Sequence, residues 1–199
     1  SEDIDLFHDE EAAVHAAAEA DRTTLERAGY QIEVTRPQEG FVRAFIARGG
    51  ERTRIEWVRD SAFRFFPVEP DLQLGWRLNF WDAATNKLLA FAGRMKIRDY
   101  LDVMYLHERH LHVGALAWAA AGKDPGMNAE WIIDWGGRQA RLAGQDVHQL
   151  RLSQPVDLRA LRTRWHQAAE EALALIEKLP VTERGCLYLD AAGQPVCPD

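Results

Sequence analysis

Polar and apolar positions alternate with period two from the start of the chain. Asp3 and Asp5 interleave with Ile4 and Leu6, so a strand here carries both carboxylates on one face and both aliphatic side chains on the other. Glu10 to Ala28 is rich in Ala, Glu, Leu and Arg and predicts a helix stopped by Gly29. A meander follows. Tyr30 to Thr35 alternates again, Phe41 to Ala47 is a second apolar strand, and the R-G-G-E-R of residues 48–52 is a hairpin turn into Thr53–Arg59. On that third strand Ile55 and Trp57 share one face, and Arg54, Glu56 and Val58 share the other.

From Asp82 the period lengthens to that of helices. Asp82 is placed to cap a helix through Ala92 that ends at Gly93. A second helix runs over Ile97–Arg109, a third over Val113–Ala121, and a fourth starts at Asn128. The longest runs from the Asp157 cap to Leu179, with Leu158, Leu161, Trp165, Ala169, Ala172, Ile176 and Leu179 as its apolar stripe and Pro180 as its stop. Strands precede helices, which predicts an α+β fold: a mixed sheet domain over residues 1–80, then a helical bundle over 81–199 closed by a terminal β-hairpin. The expected hairpin turns on D-A-A-G, residues 190–193, with Cys186 and Cys197 facing each other across it. A disulfide fits that geometry, and free thiols fit a reducing cytosol.

Composition narrows the functional classes. The 199 residues are 47% hydrophobic and 28% charged with a net charge of -7, a globular chain that is not coated for indiscriminate nucleic-acid binding. No apolar run is long enough to span a bilayer and the first residues are acidic, so a cytoplasmic protein is expected. Any nucleic-acid contact must be a local patch, for which Arg151, Arg159, Arg162 and Arg164 are candidates; Glu170, Glu171 and Glu177 on the same helix make a mixed solvated face an equal reading. The seven tryptophans are expected in the core. His107, His110 and His112 in H-E-R-H-L-H miss the zinc spacing H-E-x-x-H by one residue and read as solvated groups near a helix end.

The acids carry more chemistry. A lone D-x-D is an acidic edge strand, but if the sheet sets Glu56 beside Asp3 and Asp5, three carboxylates converge and repel unless a cation joins them. Mg²⁺ or Mn²⁺ takes such oxygen ligands, and two such ions can clamp an in-line displacement at phosphorus. Taken in order, S-E-D-I-D-L-F, T-R-I-E-W-V-R-D-S-A-F-R-F-F-P, A-T-N-K-L-L-A-F-A-G-R and I-R-D-Y-L-D-V-M-Y-L resemble the AbiEii/AbiGii family of nucleotidyltransferase toxins over Ser1 to about Arg141. The resemblance implies a nucleotidyltransferase-type sheet, transfer of a nucleotide from an NTP to a cellular acceptor with RNA (tRNA above all) leading, and a winged-helix antitoxin as partner. It makes Asp3 and Asp5 the metal pair, Glu56 the third acid, Lys87 the lysine that meets the triphosphate, and Asp99 and Asp102 the acids of the D-x-x-D motif. Asp99 would act on Lys87 or on the acceptor hydroxyl.

One part of the family pattern is not found in residues 1–199: the Gly-Ser or Gly-Gly pair that precedes D-x-D and cradles the triphosphate on backbone amides. The expectation is an N-terminally incomplete sheet domain that transfers nucleotide slowly or not at all on its own. Two other readings stand beside the toxin: transfer to a small hydroxylated molecule such as an antibiotic, and a non-catalytic partner-binding module that keeps the fold.

Overall fold

The computed structural model describes residues 3–35, 37–94, 96–142, 152 and 155–198. The chain divides into two units, Ser1–Phe63 and Arg64–Asp199, earlier than the expected boundary after residue 80. The reason is local: the backbone N–H groups of Phe65 and Phe66 donate to the two carboxylate oxygens of Asp82, each at 3.0 Å, which ties this stretch to the helices.

In the N-terminal unit, β1 (Asp3–His8) leads into α1 (Glu11–Arg27), followed by β2 (Gln31–Val34), β3 (Phe41–Arg48) and β4 (Glu51–Arg59). The sheet order is β1-β4-β3-β2, with β1 parallel to β4 and the other pairs antiparallel. The mixed sheet and the α+β class are as the pattern predicts. Gly49 and Gly50 both take positive φ, +61° and +87°, the conformation that a two-residue turn matching strand twist requires. Val14 and Ala18 of α1 pack on Val42, Ala44, Ile55 and Trp57, with Ile4, Leu6, Ile32 and Ile46 around them. Trp57 keeps its polar edge satisfied by donating Nε1–H to Asp21 Oδ2 at 2.8 Å. With Ile4, Leu6, Ile55 and Trp57 on the α1 face, Asp3, Asp5, Arg54 and Glu56 fall on the other.

The second unit begins with a small hairpin that the sequence pattern did not reveal, β5 (Glu69–Asp71) and β6 (Gly75–Arg77). Its helices are α2 (Phe80–Gly93), α3 (Ile97–Arg109), α4 (Val113–Ala120), α5 (Ala129–Leu142) and α6 (Leu158–Lys178). Asn128 and Asp157 accept from first-turn amides as expected of caps. Asn79, however, caps α2 by accepting from Trp81 N at 2.9 Å, so the assignment of that role to Asp82 is corrected. The α6 stripe buries Leu161, Trp165, Ala168, Ala172 and Ile176 against α4, all eight residues of which are buried.

Two glycines set how the C-terminal segment meets α4. A Cβ on Gly122 would lie 2.7 Å from Gly185 O, and one on Gly185 would lie 2.6 Å from Gly122 Cα. The backbones touch there, and Gly185 N donates to Trp118 O at 3.1 Å. The segment then turns through residues 190–193, but its ladder is a single bridge, Leu189 to Pro195, in place of the expected hairpin of strands; Pro195 has no N–H to extend it. Cys186 and Cys197 are exposed thiols. Trp57, Trp118 and Trp165 are buried, whereas Trp76 is 67% and Trp131 39% exposed, which corrects the all-core expectation for tryptophan. Among the described residues no helix is long and apolar enough to cross a membrane.

Candidate functional site

Strand register assembles the first group of candidate residues. Parallel pairing sets Asp3 opposite Arg54 and Asp5 opposite Glu56, and antiparallel pairing sets Arg43 opposite Glu56. Asp3, Asp5 and Glu56 therefore share one face of the sheet, and two arginines share it with them. Arg54 donates from its terminal guanidinium nitrogen to Asp3 Oδ2. Arg43 Nε donates to Glu56 Oε1 at 2.7 Å, and its guanidinium also lies 5.2 Å from the centroid of Phe41. Arg54 Nε is 3.3 Å from Glu56 Oε1, close enough for attraction, although its N–H is not aimed at that oxygen. Glu56 is the most enclosed of the group, with 14% of its side chain exposed.

The donor set is right for a hard divalent cation, since carboxylate oxygens are what Mg²⁺ takes. The arrangement does not fit one. A guanidinium lies between Asp3 and Glu56, and Glu56 Oε1 already accepts a charge-assisted hydrogen bond. Among the described residues no three His, Cys, Asp or Glu side chains are grouped so as to hold a metal ion. The convergence of acids needs a positive partner, and here Arg43 and Arg54 supply it.

The second group lies in the helical unit. Lys87 of α2 reaches Asp99 Oδ1 at 3.1 Å and Asp102 Oδ2 at 3.0 Å on α3, so both acids of the D-x-x-D stretch face one lysine, as i and i+3 on a helix allow. Arg94, just past the end of α2, grips Asp99 with two nitrogens, Nε to Oδ2 at 2.7 Å and a terminal nitrogen to Oδ1 at 3.1 Å. Asp99 is fully buried, while the Asp102 side chain is 52% exposed. Burial alone would raise the Asp99 carboxyl. The Arg94 hydrogen bonds and the Lys87 charge outweigh it and hold Asp99 below the usual carboxylate range.

A carboxyl with a lowered folded-state pKa contributes stability that is full above its unfolded value, about 3.9, and is lost as pH falls through the folded value. Asp99→Asn is therefore expected to flatten the acid limb of a stability-versus-pH curve below about pH 4. An unchanged acid limb would show that Asp99 does not contribute there.

Sequence reasoning missed Arg43 and Arg94. Arg43 is on a different strand from Glu56, and only register brings them together; Arg94 closes the A-T-N-K-L-L-A-F-A-G-R stretch but carried no role there, although it lies five residues before Asp99. Of the arginines proposed as a basic patch, Arg164 pairs with Glu108 at 2.7 Å, and Arg151 lies outside the described residues. Near the other histidines, His107 Nδ1 and His112 Nδ1 accept backbone N–H groups at 3.2 and 3.1 Å. Their outward Nε2 atoms then carry the protons and are donors, which is a physical reason against zinc. No protein-family model matches the chain, and neither a curated protein nor a solved structure matches it.

Proposed function

We propose that the protein is a nucleotidyltransferase of toxin–antitoxin type that moves a nucleotide from an NTP to an RNA acceptor such as tRNA, with a winged-helix antitoxin as its protein partner. The observation that carries the reading is the register of β1 on β4, which puts Asp5 opposite Glu56 and Asp3 on the same face. The second support is Lys87, held between Asp99 and Asp102.

In the reaction the acceptor hydroxyl oxygen bonds to the α-phosphorus. The bond from that phosphorus to the bridging oxygen breaks, pyrophosphate leaves and the hydroxyl proton passes to water. Lys87 meets the triphosphate in this reading. Asp99, clamped by Arg94, stays with the lysine and orients it, and the exposed Asp102 is the carboxylate that a phosphate displaces. Mg²⁺ or Mn²⁺ is the cofactor that this chemistry ordinarily uses. Since the acids as arranged do not fit it, no step is assigned to a metal.

A second reading, the non-catalytic binding module, is favoured by Arg54 lying where a shared cation would go. The two are separated by incubating the protein with each labelled NTP, millimolar Mg²⁺ or Mn²⁺ and total RNA. Label in RNA supports the enzyme; label only in an added small hydroxylated compound moves the acceptor to that class; none with any NTP, from a protein that carries the glycine pair ahead of D-x-D, supports the module. Melting with and without Mn²⁺ adds an independent measure, because a ligand of the folded state alone raises stability. A rise in the wild type supports metal-dependent transfer. A rise only in Arg54→Gln shows the guanidinium to be the resident cation, and none in either ends the metal reading.

Lys87→Ala is expected to lower transfer about 100-fold, the loss typical of one preorganised charge. It also costs about 1 kcal/mol of stability, because Asp99 keeps Arg94 but loses a partner. Wild-type transfer in a folded Lys87→Ala protein would remove the lysine from the reaction.

A further inference from the structure

α4 is wholly buried, so the amides of its first turn have no water to donate to. No Ser, Thr, Asp or Asn stands at its start. Instead, Val113 N donates to His107 Nδ1 at 3.2 Å and Gly114 N to His112 Nδ1 at 3.1 Å. The two rings lie 4.9 Å apart, edge to face at 74°. A ring nitrogen that accepts carries no proton, so these hydrogen bonds assign both imidazoles as neutral Nε2–H tautomers.

We propose that His107 is an acid-operated latch on α4, in which a proton taken up at its Nδ1 withdraws the acceptor from the buried Val113 amide and opens the start of the helix. The consequence reaches α6. A Cβ on Gly114 would lie 2.9 Å from Ala172 Cα, so the latched turn packs closely against the α6 backbone.

The charges facing the pair come from α3 and α6. Glu108 of α3 is held by Arg164 of α6 at 2.7 Å, and Glu171 of α6 accepts from Gln167 and lies 3.5 Å from His112 Nε2. Both acids favour an imidazolium. At His107, burial first and the neighbouring His112 second outweigh them, and its pKa lies below the usual imidazole range. As pH falls, the unfolded chain takes its proton before the folded one. The His107 contribution to stability is therefore full above the unfolded value of about 6.5 and is lost as pH drops from there through the folded value.

The test is hydrogen exchange at the Val113 and Gly114 amides of the full chain from about pH 7.5 to about pH 5.5, corrected for intrinsic rates, bracketing the imidazole range. The comparison is the double variant His107→Asn, His112→Asn, in which an amide oxygen replaces each Nδ1 as an acceptor that does not titrate. Protection in the wild type is expected to fall by up to about tenfold per pH unit for each proton taken up, and by less than about twofold in the variant. Protection that is flat with pH in the wild type, or equally pH-dependent in both proteins, overturns the latch. If the double variant does not fold, His107→Asn alone must abolish the pH dependence at Val113. Nδ1 protonation seen by NMR without loss of protection overturns the proposal in any background.

Discussion

Asp82→Ala is expected to destabilise the C-terminal unit by about 3–5 kcal/mol, the cost of breaking a buried ion pair from one side. Asp82 is fully buried and Lys123 is 8% exposed. Their charges meet at 2.8 Å. The same carboxylate accepts the amides of Phe65 and Phe66. Truncation strands an ammonium whose other polar contacts are Asn86 Oδ1 at 2.9 Å and the Asp82 carbonyl at 3.3 Å, and leaves two backbone donors without acceptors. Lys123→Met strands the opposite charge, so a double-mutant cycle in urea should show strong coupling between the two positions. A loss below about 1 kcal/mol for Asp82→Ala would mean that water reaches the site.

Gly185→Ala is expected to cost about 3 kcal/mol, from two sources that can be measured separately. Its φ of +89° is unfavourable for an L side chain by about 1–2 kcal/mol. Its new Cβ would lie 2.6 Å from Gly122 Cα, and overpacking against something that cannot rotate aside costs about 1–3 kcal/mol. Gly29→Ala is the control: φ is +84° but nothing lies within 4 Å of the added carbon, so only the conformational part remains. Trp118 reports the event, because its Nε1–H donates to Glu183 O at 2.8 Å. Equal losses in the two variants would show that the 122–185 contact yields without cost.

What could be read from the sequence was what neighbours in sequence determine. α6 has the ends that its cap and stop predict, because Asp157 and Pro180 act within a turn of their own positions. The face shared by Asp3 and Asp5 follows from the pleat alone. β5 and β6 were hidden because Glu-Pro-Asp reads as a loop. Asp82 looked like a cap since its partner Lys123 is 41 residues away, and nothing local distinguishes a capping aspartate from a buried one. Likewise the pairing of Arg54 with Glu56 could be weighed on one strand, whereas Arg43 against Glu56 and Arg54 against Asp3 depended on register.

The parallel seam between β1 and β4 has a kinetic consequence. α1, β2, β3 and β4 are consecutive and joined by short connections, so most of this sheet and its helix can form from contacts close in sequence. β1 is different: its partner, β4, lies beyond all of them, with Asp3 aligned on Arg54 across 51 residues. Loop closure of that length comes at the end of folding rather than the beginning. The strand that brings Asp3 and Asp5 to Glu56 is then expected to zip on last and to peel away first. Removing Asp3 should thus speed unfolding while leaving the refolding rate nearly unchanged.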